Sequence, residues 1–261
     1  MRALVSLLVL LLYAFAGVSS AKRPSSLLLH PEVHPIFSMA LRKLPKPARA
    51  ILAESLQQRD IASVDARHLL QCLPISKAHR DAAAKALSRP VEQVVETVDH
   101  VLTAEECLKL RAWAEERMDP GLADSVDGAP EYQVDCDENT LGDLVGHDAV
   151  DRICSLAERW MGGQPADEIG IFVRKYAAGG RPYIPFHVDT TDVTVNICLS
   201  EPEEHAGGDL LVLAGKKLRS IERQMGSATC HVWYCCHGVQ GVTSGERWSL
   251  LMFFLNSKAS R

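Results

Sequence analysis

Apolar and polar residues follow two rhythms along this chain, and the change falls after Gly163. Before it, apolar positions recur at helical spacing. Residues 48–58 (ARAILAESLQQ) put Ile51, Leu52 and Leu56 on one face, and residues 64–73 are a second apolar stretch. Residues 76–87 (SKAHRDAAAKAL) are alanine-rich with a polar side, and Ser76 is placed to cap them. Pro90 closes this helical region. Residues 91–101 (VEQVVETVDHV) alternate in the manner of a strand. Thr103 then precedes Glu106 by three positions, a capping box opening a helix with Leu108, Leu110, Ala112, Trp113 and Met118 on its apolar side. Residues 119–121 (DPG) stop it. Residues 121–146 are polar and turn-rich, with a short strand around 132–134, and residues 148–161 form another amphipathic helix. After Gly163 come short runs rich in Val, Ile, Phe, Trp and Thr, at 169–176, 193–199, 210–214, 228–234 and 248–255. Helices first and then many short strands predict an α+β chain whose core is mainly β, a helix-buttressed sandwich or barrel. No Gly-rich phosphate loop follows any strand, which leaves a nucleotide-binding α/β fold without support.

Composition narrows the picture further. The 261 residues are 47% hydrophobic and 23% charged, enough for one good core or two small ones. A formal net charge of −5 offers no basic field, so nucleic acid is not expected as a partner. The eight cysteines contain no CxxC…CxxC pattern, which argues against a structural zinc knuckle. Their even number permits disulfides in an oxidising compartment, while Cys198 and Cys230 read as buried thiols in strand-like runs.

Residues 1–21 stand apart from the fold. Met1 and Arg2 give a positive start, residues 3–18 are almost wholly apolar, and Ser19, Ser20 and Ala21 suit cleavage before Lys22. The apolar run is long for a signal-peptide core and short for a membrane span. Two readings stand: a cleaved signal peptide, or an uncleaved anchor followed by Lys22 and Arg23. Both place the remainder in the secretory pathway, in the endoplasmic reticulum lumen or secreted, and only the anchor implies membrane contact. The chain is thereby divided into residues 1–21, a helical region 22–90, and a third segment 91–261.

That third segment carries the chemistry. Residues 176–192 read YAAGGRPYIPFHVDTTD and contain His187 and Asp189, two apart. On a strand such a pair points to one face, with Phe186 and Val188 turned away. Fifty residues on (237 − 187) comes His237, after an apolar run whose end would deliver it. Two imidazoles and one carboxylate make a facial triad for Fe(II), with positions left open for oxygen and an organic ligand. Each residue alone is ordinary: His187 a turn histidine after Pro185, Asp189 the start of an Asx turn, His237 a histidine in a Gly turn. The combination is not. Ten residues further (247 − 237), Arg247 opens the apolar strand 248–255, where its burial is costly unless it pairs with an anion. Its fork suits a carboxylate.

The ordered motifs Val173-Arg174-Lys175-Tyr176, His187-Val188-Asp189, Val193-Thr194-Val195-Asn196, Gly207-Gly208-Asp209-Leu210 and His237-Gly238-Val239, followed by Thr243-Ser244-Gly245-Glu246-Arg247-Trp248-Ser249, carry a family resemblance. Residues 91–255 resemble the catalytic domain of the iron(II)/2-oxoglutarate-dependent dioxygenases, in the branch of prolyl 4-hydroxylases and procollagen lysyl hydroxylases. The resemblance implies a double-stranded β-helix, or jelly roll, with supporting helices. It implies that His187, Asp189 and His237 bind Fe(II), that Arg247 pairs with the far carboxylate of 2-oxoglutarate, and that Tyr176 bonds the same cosubstrate. Thr194 and Asn196 are implied to line the pocket. The implied reaction hydroxylates a peptidyl proline or lysine, releases succinate and CO2, and uses ascorbate to keep iron reduced. A jelly-roll module that keeps its metal without turnover, or a hydroxylase of a small molecule, are the alternatives. The chain departs from the collagen-type prolyl hydroxylases at Arg247, where those carry lysine; lysyl hydroxylases and oxygen-sensing prolyl hydroxylases carry arginine. Residues 22–90 match no module of the family.

Overall fold

The computed structural model describes residues 64–73, 75–119 and 123–256. The expected signal or anchor and the helix expected at 48–58 lie outside the described residues. Five α-helices lie among those described: α1 (Ala66–Cys72), α2 (Lys77–Leu87), α3 (Ala104–Glu115), α4 (Glu138–Val145) and α5 (His147–Trp160). The strands are β1 (Val95–Val98), β2 (Gln133–Cys136), β3 (Glu168–Ala177), β4 (Ile184–His187), β5 (Val193–Cys198), β6 (His205–Gly207), β7 (Leu210–Ala214), β8 (Lys217–Ile221), β9 (Ala228–Val232), β10 (Cys236–Val239) and β11 (Val242–Leu255).

They form two antiparallel sheets. The larger has the order β1-β9-β5-β11-β3-β2, with β6 added along β11, and the smaller has the order β4-β10-β7-β8. Strand parity decides which face of each is buried where. In the larger sheet Val193, Val195, Ile197, Cys230, Leu250, Met252 and Phe254 point outward and pack on Leu110, Leu141, Val150 and Ile153 of α3, α4 and α5. Each such buried aliphatic contributes roughly 1.5–3 kcal/mol. In the smaller sheet Phe186, Leu211, Leu213, Leu218 and Cys236 turn outward onto Leu69, Leu70, Ala83 and Leu87 of α1 and α2. The described part of the N-terminal helical region therefore shares a core with the β-sandwich. Between the sheets lie Ile184, Leu210, Val212 and Val239 from one and Tyr176 and Val95 from the other.

Several elements follow from local chemistry. Thr103 Oγ1 accepts from the Glu106 backbone N–H at 3.2 Å and the Glu106 carboxylate accepts from the Thr103 N–H at 2.7 Å, the expected capping box. Ser76 accepts from the His79 N–H at 3.1 Å and caps α2. Other expectations need correction. The strand expected over 91–101 shrinks to β1, because residues 91–93 wind into a single 3-10 turn behind Pro90, whose φ is fixed. Leu108, expected on the buried side of α3, is 52% exposed, since Cys107, Leu110 and Ala114 form the buried face. The turn-rich stretch 121–146 contains α4, capped where Asp137 accepts from the Thr140 N–H at 2.7 Å. His237 does not sit at the end of the preceding strand: β9 stops at Val232, and the chain turns back to make β10 with His237 inside it. There it lies between His187 of β4 and Val212 of β7.

Candidate functional site

Polar side chains enter the space between the sheets beside its apolar ones, as where His237 pairs with Val212 across β10 and β7. Cross-strand register puts Thr194 beside His231, Asn196 beside Thr229, and Arg247 beside Tyr176, all on the inner face of the larger sheet. From the smaller sheet His187 and His237 face each other directly across β4 and β10. Asp189 follows β4 by two residues and keeps the parity of His187, while Phe186 and Val188 turn into the outer core.

His187, Asp189 and His237 offer one ligand atom each, all within 4.8 Å of one another. Asp189 Oδ1 lies 3.4 Å from His187 Nε2 and 3.8 Å from His237 Nε2. The Nδ1 atom of His187 is 2.8 Å from the Pro185 carbonyl oxygen, and that of His237 is 3.0 Å from the Cys235 carbonyl oxygen. A carbonyl only accepts, so each Nδ1 carries the proton and each Nε2 turns a lone pair toward Asp189. The other carboxylate oxygen, Oδ2, accepts from Thr194 Oγ1 at 2.6 Å, which leaves Oδ1 for the histidines. Thr194 is in turn within 3.0 Å of Thr191 Oγ1. Two unprotonated Nε2 atoms and one oriented carboxylate oxygen fit a divalent metal, and their mixture of imidazole and carboxylate suits Fe(II).

Electrostatics agree with that geometry. Burial opposes the charge of Asp189, but the neighbouring imidazoles, His237 first and then His187 and His231, outweigh it and hold the carboxyl below the usual carboxylate range. Burial also pushes the His237 imidazole down to about 3, so it is neutral and able to ligate.

Arg247 stands apart from this cluster along β11 and is 1% exposed. Its guanidinium lies 4.9 Å from the centre of the Tyr176 ring, and neither terminal nitrogen, Nη1 or Nη2, has a hydrogen-bond partner. The backbone of Gly208 makes room for it: φ is +80°, and a Cβ there would come 2.9 Å from Arg247 Cδ. An orphaned buried guanidinium fork is the feature expected of a carboxylate site. Among the polar residues near it are Tyr176, whose ring lies under the guanidinium, and Ser249, two positions along the strand with its own hydroxyl unpartnered.

Two neighbours were not singled out from sequence. His231 on β9 is fully buried, with its ring 4.3 Å from that of His237 and its Nε2 3.8 Å from Asp189 Oδ2. Thr229 and His231 alternate with the outward Ala228 and Cys230, and that alternation of polar and apolar residues was a usable signal. Arg223, on the turn before β9, donates to Asn196 Oδ1 at 2.8 Å. Asn196 accepts this bond on the inner face of β5, and Thr194 on the same face donates to Asp189.

No protein-family model and no curated protein matches the chain. Its likeness is to solved structures. A prolyl hydroxylase from Trichoplax adhaerens, in complex with a hypoxia inducible factor oxygen degradation domain peptide fragment, aligns with a TM-score of 0.50 and 12% identity, over 71% of this chain and 96% of that one. A Pseudomonas putida prolyl-4-hydroxylase aligns at 0.49 and 16% identity, over 67% and 98%. A viral collagen prolyl hydroxylase from Paramecium Bursaria Chlorella virus-1, in its 2OG complex, aligns at 0.45 and 19% identity, over 61% and 94%. The mostly antiparallel core with its helices is the jelly-roll fold of the 2-oxoglutarate and iron oxygenases, as the sequence resemblance implied, and at these identities the likeness is one of fold.

Proposed function

We propose that this protein is an Fe(II)- and 2-oxoglutarate-dependent dioxygenase that hydroxylates a prolyl or lysyl residue of a polypeptide and releases succinate and CO2. The observation that carries the reading is the buried Arg247 fork with both terminal nitrogens unpartnered, inside the same sandwich as the His187, Asp189 and His237 cluster. A guanidinium buried with nothing to bind costs several kcal/mol, and a carboxylate relieves that cost.

Bound iron would supply oxygen activation, with the 2-oxo acid as the electron source. The residues of the chain do the rest. His187 and His237 present Nε2 because the carbonyls of Pro185 and Cys235 hold their Nδ1 protons. Thr194 turns Asp189 so that one oxygen faces the histidines. Arg247 anchors the carboxylate remote from the metal, and Tyr176 supports the guanidinium from below. Ile184, Leu210, Val212 and Val239 keep water from the space between.

A polypeptide substrate is supported by the peptide bound to the Trichoplax adhaerens prolyl hydroxylase, whose fold this chain shares. Ascorbate as reductant and residence in the secretory pathway belong to the same proposal, the latter resting on the apolar residues 3–18. Purified protein with Fe(II), ascorbate and 2-oxoglutarate should release succinate, stimulated by peptides containing proline or lysine that gain the mass of one oxygen atom. Absence of succinate with every peptide pool, or full turnover after His187→Ala, contradicts the reading.

A further inference from the structure

Arg247 is not the only cation in its pocket. Arg223 reaches in from the turn between β8 and β9, where its Nη1 donates to Asn196 Oδ1 at 2.8 Å. Asn196 is buried on the inner face of β5. Burial first, and then the charge of Arg247, pull the ionisation of Arg223 down to about 10, which still leaves it charged at neutral pH. His205 faces the same two guanidiniums, and burial lowers its ionisation too. The field of Asp209 favours the charge of Arg223, but that carboxylate is engaged by Ser220 Oγ at 3.0 Å.

The contrast with two arginines buried elsewhere is informative. Arg174 pairs with Asp124 at 3.0 Å, and Arg181 pairs with Asp124 at 3.1 Å and Asp127 at 2.8 Å. Among the described residues neither Arg223 nor Arg247 has an ion pair with a carboxylate within bonding distance. The fold satisfies one pair of arginines with its own carboxylates and leaves the second pair without one, near enough for the charge of Arg247 to act on Arg223. Two like charges held in a low-dielectric pocket repel, so the arrangement is favourable only when an anion joins them.

We propose that Arg223 is a second anion-binding residue of the cosubstrate pocket, exchanging Asn196 for the far carboxylate that Arg247 holds, and that it sets the preference for dianionic over monoanionic 2-oxo acids. This rests on the reading of Arg247 as a carboxylate anchor. A carboxylate between the two guanidiniums offsets their mutual repulsion and lowers the charge of the group from +2 to +1, whereas a 2-oxo acid without that carboxylate leaves both cations unpaired.

The test is calorimetric titration of the Mn(II)-loaded, oxygen-free full chain with 2-oxoglutarate and with 2-oxovalerate, which lacks the far carboxylate. Arg223→Gln should weaken 2-oxoglutarate by at least about tenfold, and Arg223→Lys should recover much of that loss. Affinity for 2-oxovalerate should change by less than about threefold, and Mn(II) affinity should be unaltered. Unchanged 2-oxoglutarate binding in Arg223→Gln, or equal weakening of both acids, overturns the proposal. Failure of the underlying reading looks different: Arg247→Gln would then bind 2-oxoglutarate as the wild type does.

Discussion

The two faces of the larger sheet are made by the same strands and follow opposite rules. Its outer face, toward α3, α4 and α5, is a continuous apolar layer that includes Val195, Ile197, Cys230, Leu250 and Met252. Its inner face carries Arg174, Tyr176, Thr194, Asn196, Thr229, His231, Arg247 and Ser249, every one of them buried. Among the described residues, the side-chain atoms of this sheet that are buried without a partner belong to Arg174, Thr229, His231, Arg247 and Ser249, all on that inner face. Buried polar groups are normally satisfied, so a face this rich in orphans is not built for stability alone. The outer face is complete within the chain, and under the proposed function the inner face is completed by a metal ion and a 2-oxo acid.

The two faces should therefore respond differently to truncation. The largest effect is expected at Asp189. Asp189→Ala should abolish metal retention and succinate release, with a melting temperature at or below that of the metal-free wild type and no longer raised by added metal. Metal content after gel filtration and a thermal scan check both halves.

Arg247→Ala and Leu250→Ala, three positions apart on β11 with opposite parity, give the sharpest pairing. Arg247→Ala removes one partner of a buried charge pair, worth about 2–5 kcal/mol, and should raise the apparent KM for 2-oxoglutarate at least about thirtyfold while leaving that for peptide nearly unchanged. Leu250→Ala should lower unfolding free energy by about 2–5 kcal/mol while the folded fraction keeps its KM values. Steady-state kinetics and urea melts on both variants separate the two outcomes, and a swap of phenotypes would dissolve the distinction between the faces.

Thr194→Val keeps shape but removes the hydroxyl that donates to Asp189 at 2.6 Å. Loss of such a supporting bond should weaken metal affinity by roughly 10–100-fold. Competitive chelator titration measures it.

The gentlest effect concerns pH and the metal-free protein. Burial, with help from the nearby His187 and His231, moves His237 from an ordinary 6.5 to about 3 when folded. Between those values the unfolded chain binds more protons than the folded one, so stability rises with pH across that window and falls as pH drops through it. The lowered carboxyl of Asp189 acts in the same direction. His237→Gln should flatten the slope of unfolding free energy between about pH 4 and 6.5.

Much of this was legible in the chain because strand parity is local. The runs at 193–198 and 210–214 are recognisable from their β-branched and leucine-rich composition, and their parity already put Thr194 and Asn196 on one face. What stayed hidden depends on partners distant in sequence. β10 is four residues with a glycine, Cys236-His237-Gly238-Val239, and becomes a strand because β4 and β7 pair with it on both sides. β11 was visible only from 248 onward, since its first half, 242–247 (VTSGER), is polar and is drawn into the sheet partly by β6. α4 contains Gly142, a poor helix former, and holds because Leu141 and Val145 reach the outer core. Arg223 lies on a turn with no periodicity to betray it, and its meaning comes from a bond to Asn196, twenty-seven positions away in sequence.

The most direct measurement is a crystal structure grown without oxygen in the presence of Mn(II) and 2-oxoglutarate. It should show one metal ion held by His187 Nε2, Asp189 Oδ1 and His237 Nε2, with the far carboxylate of the acid on the terminal nitrogens of Arg247. A metal bound elsewhere, or an Arg247 fork still without a partner beside a bound 2-oxoglutarate, would contradict the assignment of the inner face.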